Sequence, residues 1–282
     1  MKSGFVVLVG RSNVGKSTLL NTLVGTKIAA TSFRAQMTRN IIHGVLNTPQ
    51  GQAVFVDTPG VLKAKKSELT AKLLKRVEEA LSEIDVVVYV VDPTREIGDE
   101  ERFVLGLVRK IQKPKILVIN KSDLPPQERK HQLEYEVFQE DFDAVFHLSA
   151  LKGAHVQPLR DKVIDLLPEG HELYLDGQLT NVDNYFFMEE IIREKAFSVL
   201  EKEVPYSLTV TVDNVEDEGG LLRVEARILT DADRYKSMII GKRGAKIKEI
   251  GQMARKELEQ ATNKKIYLAL EVEVDQHWVQ RV

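Results

Sequence analysis

The stretch FVVLVGRSNVGKSTLL, residues 5–20, decides the class of fold to which this chain belongs. Five apolar residues, 5–9, predict a buried strand, and the loop GRSNVGKS, residues 10–17, follows directly. The loop fits the pattern of a glycine, four residues, a second glycine, lysine and serine or threonine that is typical of a phosphate-binding P-loop. A helical run follows, so this segment predicts a strand, a phosphate loop and a helix in succession.

Each residue type in this loop has a chemical reason to be there. Glycines allow backbone N–H groups to curl around phosphate oxygens, and the helix N-terminus adds the positive end of its dipole. Lys16 would reach the β and γ phosphates, and the Ser17 hydroxyl would bind Mg²⁺. The structural alternative is an ordinary glycine turn between a strand and a helix.

Composition limits the remaining classes of protein. A length of 282 residues suggests about two domains, and 43% hydrophobic with 29% charged residues is ordinary for a folded globular chain. Cysteine is absent, which excludes disulfides, a thiolate nucleophile and cysteine-bound metal centres, and we expect a cytoplasmic protein. The apolar runs are far shorter than the roughly 20 residues that span a bilayer.

The order of predicted elements changes near residue 168. Residues 1–168 alternate strands and helices, which predicts an α/β domain with a mainly parallel sheet and helices on both faces. Residues 169–184 have no clear periodicity and are interpreted as a linker. Residues 185–282 predict a compact α+β domain in the order helix, strand, strand, helix, helix, strand. The predicted strands of the first domain are 5–9, 53–57, 86–92, 116–120 and 145–148, and its helices are 18–23, 68–81, 100–111, 127–138 and 156–167.

Two further motifs follow strands of the first domain. Asp57, Thr58, Pro59 and Gly60 form DTPG, where Asp57 can hold Mg²⁺ through water and the Gly60 N–H can sense the γ phosphate. Taken alone, this sequence is also common turn chemistry.

The NKSD motif comprises Asn120, Lys121, Ser122 and Asp123. The Asp123 carboxylate can accept two hydrogen bonds from the ring N–H and the exocyclic amine of guanine, a donor pair that adenine lacks. Without the P-loop, a helix N-cap would be the default interpretation. Ser149 and Ala150 follow the next strand, where a backbone N–H could meet the guanine carbonyl.

The second domain contains a local basic loop within an acidic background. The loop is Gly241-Lys242-Arg243-Gly244, and the segment 234–248 has six Lys or Arg and no acidic residue, although the whole chain has a net charge of −2. This glycine tetrad between two helices resembles a KH domain of the prokaryotic type. That resemblance implies contacts to single-stranded RNA. The alternative is a solvated helix start. The predicted RNA-binding residues are Ile240, Gly241, Lys242, Arg243, Gly244, Lys246 and Lys248.

The whole set of motifs resembles the Era family of GTPases. GRSNVGKSTLLN, AQMTRN, DTPG and NKSD carry the resemblance, and the terminal KH unit extends it over nearly the whole chain. It implies that Thr38 is the second Mg²⁺ hydroxyl and γ-phosphate sensor, so Lys16, Thr38 and Gly60 are the predicted catalytic residues. Met37 and Ser12 stand where the family usually has Thr and Pro. The predicted nucleotide-binding residues are Gly10, Arg11, Ser12, Asn13, Val14, Gly15, Lys16, Ser17, Thr18, Asp57, Thr58, Pro59, Gly60, Asn120, Lys121, Ser122, Asp123, Ser149 and Ala150.

Hydrolysis is expected to be slow. The residue after DTPG is Val61, an aliphatic side chain that cannot orient the attacking water as a glutamine does. Resemblance to related GTPases that lack the glutamine makes Asn13 a candidate K⁺ ligand.

The resemblance implies GTP or GDP with Mg²⁺ as ligands, and the 3′ end of 16S rRNA on the small (30S) ribosomal subunit as partner. It implies that the protein assists assembly of that subunit as a monomer, with no DNA partner and with peripheral contact to the inner membrane face as an option. The first alternative is a regulatory GTPase whose C-terminal unit docks on a protein or membrane surface. The second, a metabolic P-loop kinase, is disfavoured because NKSD has no role there. Lys63, Lys65 and Lys66 are interpreted as solvated, with a contact to rRNA or to the KH unit as the alternative, and Trp278 is interpreted as a packing residue.

Overall fold

A six-stranded sheet forms the centre of the first part of the chain in the computed structural model, which describes residues 1–31, 37–60, 68–81 and 84–281. The strand order is β2-β3-β1-β4-β5-β6, and only the β2–β3 pair is antiparallel. The strands are β1 (Lys2–Val9), β2 (Ile42–Thr48), β3 (Gly51–Asp57), β4 (Val86–Val91), β5 (Lys115–Ile119) and β6 (Ala144–His147). The helices are α1 (Lys16–Val24), α2 (Glu68–Ala80), α3 (Asp99–Arg109), α4 (Gln132–Glu136) and α5 (Val156–Leu166). The predicted α/β fold class is confirmed.

The middle of this sheet is buried on both faces. All six residues of β4, VVVYVV, are buried, and so is every residue of β3. A parallel strand covered by helices on both sides has no solvent face and therefore reads as a continuous apolar run. This packing brings the carboxyl ends of β1, β3, β4, β5 and β6 to one edge, where open α/β sheets bind ligands.

Strand β2 was not predicted from the sequence. It is an antiparallel edge strand with an irregular burial pattern, and Gly44 and Asn47 interrupt its apolar residues. Gly44 is required there, because a Cβ on it would lie 2.5 Å from the Leu20 side chain. The packing of α1 against the sheet, rather than strand propensity, selects this residue.

The helix predicted over residues 127–138 is wrong in its first part. The α-helix runs only from Gln132 to Glu136 and continues as a 3₁₀ helix over Val137–Asp141. The residues before it form turns instead. The Glu128 N–H donates to the Pro125 carbonyl, and Arg129 Nε donates to the Leu124 carbonyl at 2.9 Å. The two prolines at 125 and 126 favour this turn over a helix.

The segment expected as a linker divides differently in the structure. The chain separates into two units, Met1–Asn181 and Val182–Val282. Most of residues 169–184 therefore belongs to the first unit, as an extended strap along the edge strand: Val45 N donates to Leu179 O at 2.9 Å, and Gly44 bridges to Thr180. The buried amide of Gln52 holds the strap as well, accepting from the N–H groups of Leu173 and Tyr174. An edge strand needs backbone partners, which composition alone does not reveal.

The second unit is a three-stranded sheet with helices packed on one face. Strands β7 (Leu208–Asp217) and β8 (Leu221–Thr230) are antiparallel, and β9 (Lys265–Val274) runs parallel to β8. Helices α6 (Asn184–Val199), α7 (Asp233–Ile240) and α8 (Ala245–Thr262) share a core with the alternate buried positions of β7 and β8. The predicted α+β order is confirmed. Within the described ranges of the chain, no helix has the length and apolar character needed to cross a membrane.

Candidate nucleotide and RNA sites

The P-loop curls tightly because its neighbours leave no room for side chains at two positions. A Cβ on Gly10 would lie 2.3 Å from the Val90 carbonyl oxygen, and one on Gly15 would lie 2.3 Å from Asn120 Nδ2. Gly15 also has a φ of 102°, a left-handed conformation that glycine adopts without strain, and α1 starts immediately after it. The loop thus passes from β1 into the N-terminus of α1, as its sequence predicts.

Lys16 is buried beneath this loop with its ammonium group turned toward backbone carbonyls. Its Nζ donates to the carbonyl oxygens of Gly10 and Arg11, both at 3.2 Å. Burial lowers the pKa of Lys16, and the carboxylates of Asp57 and Glu101 oppose this effect. A buried ammonium that donates to backbone carbonyls is well placed to receive an anionic group.

Three side chains from separate elements converge beside Lys16. Ser17 Oγ lies 2.8 Å from Thr38 Oγ1, and it donates to Asp57 Oδ2 at 2.5 Å. Asp57 is fully buried, and its Oδ1 has no hydrogen-bond partner within the described residues. Burial raises the pKa of Asp57, although Lys16 and the hydroxyls of Ser17 and Thr38 oppose the rise. Two hydroxyls and one buried carboxylate with an unused oxygen fit a hard divalent cation such as Mg²⁺.

The loops that carry Thr38 and Gly60 are tied to neighbouring elements. Arg76 of α2 donates to the Arg39 carbonyl and to Asn40 Oδ1, the latter at 2.6 Å. Gly60 lies directly against the P-loop, because a Cβ on it would be 2.4 Å from Ser12 Oγ. One pocket is lined by residues of all three segments: Ser12, Asn13, Gly15, Lys16, Ser17, Thr18, Ala30, Thr31, Met37, Thr38 and Gly60.

At the other end of the P-loop, Asn120 connects the NKSD motif to the loop. Its Nδ2 donates to the Val14 carbonyl at 2.8 Å, and its Oδ1 accepts from the Ala150 N–H at 2.9 Å. Asn120, which follows β5, therefore connects the loops that follow β1 and β6. Ser149 Oγ donates to Asp123 Oδ1 at 2.5 Å, which fixes the orientation of that carboxylate.

Asp92 was missed by the sequence analysis. It follows β4, is almost fully buried, and its Oδ2 accepts from Lys121 Nζ at 2.5 Å. Lys121 has a φ of 61°, so this ion pair accompanies an unusual backbone conformation next to the predicted base site. An acidic residue at the carboxyl end of a buried strand, as at Asp57, was the available signal.

A buried polar network below the P-loop was also missed. Arg11 Nε lies 2.5 Å from Glu101 Oε2, and Arg11 Nη2 donates to the Tyr135 hydroxyl at 3.0 Å. Tyr135 donates to Glu101 Oε2 at 2.9 Å, and Tyr89 donates to the other carboxylate oxygen. Burial together with the Glu101 carboxylate raises the pKa of Tyr89 and Tyr135. Because these residues lie far apart in sequence, no local pattern could have indicated the network.

In the second unit, the glycine tetrad forms a bend between α7 and α8. Gly241 and Gly244 have φ values of 72° and 75°, and Arg243 has one of 52°. A Cβ on Gly241 would also lie 2.9 Å from Lys246 Cγ. Lys242, Arg243 and Lys248 are exposed, and no ion pair to another described residue neutralises them. The bend therefore presents uncompensated positive charge.

A groove of about 340 Å³ adjoins this loop between α8 and β9. Apolar side chains of Ile247, Leu268 and Leu270 line it, and Lys248 and Arg255 lie at its polar side. An apolar groove next to a basic glycine loop suits unstacked bases whose phosphates lie on the loop.

The structure describes every predicted nucleotide- and RNA-binding residue. The nucleotide residues gather at one edge of the first sheet, and the RNA residues gather at the α7–α8 bend. Val61, Lys63, Lys65, Lys66 and residues 32–36 of the Thr38 loop lie outside the described residues.

Comparisons with known proteins agree with this arrangement. Residues 5–121 match the family described as 50S ribosome-binding GTPase, and residues 203–279 match the KH domain. GTPase Era of Thermoanaerobacter sp. (strain X514) is 40% identical over 281 residues, covering 98% of this chain and 92% of the relative. The chain belongs to the Era family of GTPases. GTPase Era of Clostridium kluyveri is 38% identical over 282 residues, covering 99% of this chain and 95% of the relative.

Solved Era structures share the complete fold. A crystal structure of Era in complex with MgGDPNP and nucleotides 1506–1542 of 16S ribosomal RNA matches with a TM-score of 0.91 at 36% identity, covering 100% of this chain and 96% of that one. A variant of Aquifex aeolicus Era bound to GDP·AlF₄⁻ matches with the same TM-score, 0.91, at 35% identity and with the same coverage of both chains. The predictions of an Era-family GTPase domain followed by a KH domain are confirmed.

Proposed function

We propose that this Era-family GTPase binds GTP or GDP with Mg²⁺, binds the 3′ end of 16S rRNA through its KH unit, and assists assembly of the small ribosomal subunit. The observation that carries the proposal is the match over the whole chain to an Era that holds both MgGDPNP and a 16S rRNA fragment. The P-loop and the basic bend of this chain supply suitable chemistry for each ligand.

The Mg²⁺ ligands in this proposal are the hydroxyls of Ser17 and Thr38, with Asp57 acting through a water molecule. When bound, the ion supplies positive charge at the β and γ phosphates. The 2.8 Å contact between the two hydroxyls and the unused Asp57 oxygen support this assignment.

The triphosphate lies along the P-loop, with its β and γ phosphates against Lys16. The loop N–H groups and the N-terminus of α1 add hydrogen bonds and a favourable dipole. Thr38 and the Gly60 N–H contact the γ phosphate, and hydrolysis removes the group that holds their two loops. The chain contributes positioning and charge, which carry most of the catalysis in phosphoryl transfer.

Asp123 selects guanine by accepting hydrogen bonds from its ring N–H and exocyclic amine. Changing Asp123 to Asn places one donor where guanine also has a donor, so GTP affinity should fall by roughly 100-fold or more. Xanthosine triphosphate has a carbonyl in place of the amine and should bind the Asp123→Asn variant better than GTP does. Competition titrations against a fluorescent GDP analogue measure both effects, with ATP as the control ligand. ATP binding as tight as GTP binding in the unaltered protein would exclude the proposal.

The KH unit binds single-stranded RNA with Lys242, Arg243, Lys246 and Lys248 on the phosphates and the α8–β9 groove on the bases. The double variant Lys242→Glu/Arg243→Glu should lower affinity for a 16S 3′-end oligonucleotide by roughly 100-fold or more, since it replaces two phosphate contacts with repulsion. GTP affinity should stay unchanged. Fluorescence anisotropy at fixed salt measures the loss, and Lys110→Glu/Lys113→Glu, which changes two exposed lysines of the first unit, is a control of equal charge change. Unchanged RNA affinity would favour a protein or membrane surface as the partner.

Intrinsic hydrolysis is slow in this proposal, because Val61 cannot orient water. Asn13, which lines the nucleotide pocket with a φ of 66°, is the proposed K⁺ ligand. Turnover in K⁺ should exceed turnover in Na⁺ at equal ionic strength, and equal rates would reject the K⁺ site.

A further inference from the structure

The Ser12 hydroxyl is a buried polar group for which the protein supplies no partner among the residues that the structure describes. Ser12 is 6% exposed, and its Oγ makes no hydrogen bond to any of those residues. Buried hydroxyls are normally satisfied by protein or water, so a hydroxyl at a pocket wall that no described protein group satisfies is available to a water molecule or a ligand. Ser12 lines the nucleotide pocket together with Lys16, Thr38 and Gly60.

The position of this hydroxyl is fixed from two sides. Gly60 lies against it, with a Cβ on that glycine placed 2.4 Å from Ser12 Oγ and 2.5 Å from Ser12 Cα. On the other side, Arg95 Nη1 donates to the Ser12 carbonyl at 2.9 Å. The hydroxyl is therefore held beside Gly60, the residue proposed to contact the γ phosphate.

We infer that Ser12 is a positioning residue for hydrolysis, whose hydroxyl holds the attacking water against the γ phosphate. This inference rests on the proposed nucleotide site. The hydroxyl can accept one hydrogen bond from the water and donate one to a γ-phosphate oxygen, so its acceptor and its donor are both used. It partly replaces the water-orienting side chain that Val61 does not provide.

The reaction step is the addition of water to the γ phosphorus. The bond between the water oxygen and phosphorus forms, the bond from phosphorus to the β–γ bridging oxygen breaks, and GDP leaves with the bond electrons. One water proton passes to the departing phosphate. Ser12 gains and loses no proton overall, and its effect is to orient the water in line with the breaking bond.

The test compares Ser12→Ala and Ser12→Gly with the unaltered full-length protein. Both variants should bind GDP within about twofold of the unaltered protein, because GDP lacks the γ phosphate that Ser12 contacts, while kcat falls roughly 10-fold to 100-fold, as for loss of one hydrogen bond to a charged group. Binding of GDP·AlF₄⁻, which mimics the transferring phosphoryl group, should weaken in parallel with kcat. Ser207→Ala is the matched control, because Ser207 is equally buried but its hydroxyl is satisfied by the Val204 carbonyl in the second unit.

The outcomes separate this inference from the proposed function. A kcat of Ser12→Ala within twofold of the unaltered value would overturn it, as would a loss of GTP affinity with kcat unchanged, which indicates packing alone. Retained GDP binding shows that the variants fold. Failure of the unaltered protein to bind GTP would overturn the proposed function itself.

Discussion

At the scale of single residues, one hydrogen bond controls the geometry of Asp123, the carboxylate proposed to select the base. Ser149 Oγ donates to Asp123 Oδ1 at 2.5 Å and also accepts from the Lys152 N–H at 3.1 Å. The first bond leaves the second carboxylate oxygen and the remaining lone pairs for the ligand. In the proposed site, selectivity for guanine thus depends on a serine that does not need to touch the phosphates.

We expect Ser149→Ala to weaken GTP and GDP binding by the same factor, roughly fivefold to tenfold, or ~1 kcal/mol. Both nucleotides carry guanine, so a base-site defect cannot distinguish them, whereas a phosphate-site defect can. Isothermal titration calorimetry with each nucleotide measures the factor, and kcat at saturating GTP serves as the internal control. A change in the ratio of GTP affinity to GDP affinity would contradict the assignment of Ser149 to the base site.

At the scale of elements, edge strand β2 connects the Thr38 loop to the strap of residues 169–181. The strand begins at Ile42, four residues after Thr38, and His43 Nδ1 lies 2.7 Å from the Tyr174 hydroxyl on the strap. The His43 N–H donates to Asn181 Oδ1 at 2.8 Å, just before the second unit begins. The Thr38 loop and the end of the first unit therefore share one strand.

Partial burial lowers the pKa of His43 in the folded protein below its ordinary value of 6.5. When the strap detaches, His43 on β2 takes up a proton more readily than in the folded protein, so the stabilisation by neutral His43 is complete above about pH 6.5 and is lost as the pH falls below it. We expect the amides of Leu173 and Tyr174 to lose exchange protection at pH 5.5 relative to pH 7.5. Hydrogen exchange corrected for the intrinsic rate measures this. His43→Phe keeps a ring beside Phe5 but cannot titrate, so an unchanged pH effect in that variant would assign the effect to another group.

At the scale of the whole molecule, two separately cored units carry the two proposed ligand sites. We propose that the nucleotide state of the first unit alters RNA affinity of the second, because Thr38 and Gly60 are the proposed contacts to the γ phosphate and their loops would rearrange when it is lost. Any such coupling must be reciprocal. If a non-hydrolysable GTP analogue raises RNA affinity by some factor relative to GDP, RNA must raise the ratio of analogue to GDP affinity by the same factor.

We expect a coupling factor of about 5-fold to 100-fold, the common range for such linkage. Anisotropy titrations measure the RNA affinity of the protein in the presence of each nucleotide. The same method measures the affinity for each nucleotide with and without RNA, and these affinities complete the thermodynamic cycle. In Lys242→Glu/Arg243→Glu, the effect of RNA on nucleotide affinity should disappear at concentrations that saturate the unaltered protein. A factor of one in both directions would show that the two sites act independently.

The sequence by itself determined five of the six strands of the α/β sheet, the P-loop, DTPG, NKSD and the glycine bend. These features are local. Apolar runs, glycines and motif spacing depend on a few neighbouring residues, so they can be recognised in the sequence without knowledge of the tertiary structure.

Only the tertiary structure decided which distant groups meet. The strap on β2, the Arg11–Glu101–Tyr135 network, the Asp92–Lys121 pair and the orphaned Ser12 hydroxyl each join segments well separated in the chain. Burial and hydrogen-bond satisfaction depend on the packed neighbours of a group rather than on its neighbours in sequence. That is why Ser12 reads as an incidental substitution in the sequence and as a candidate part of the hydrolytic site once Gly60 is packed against it.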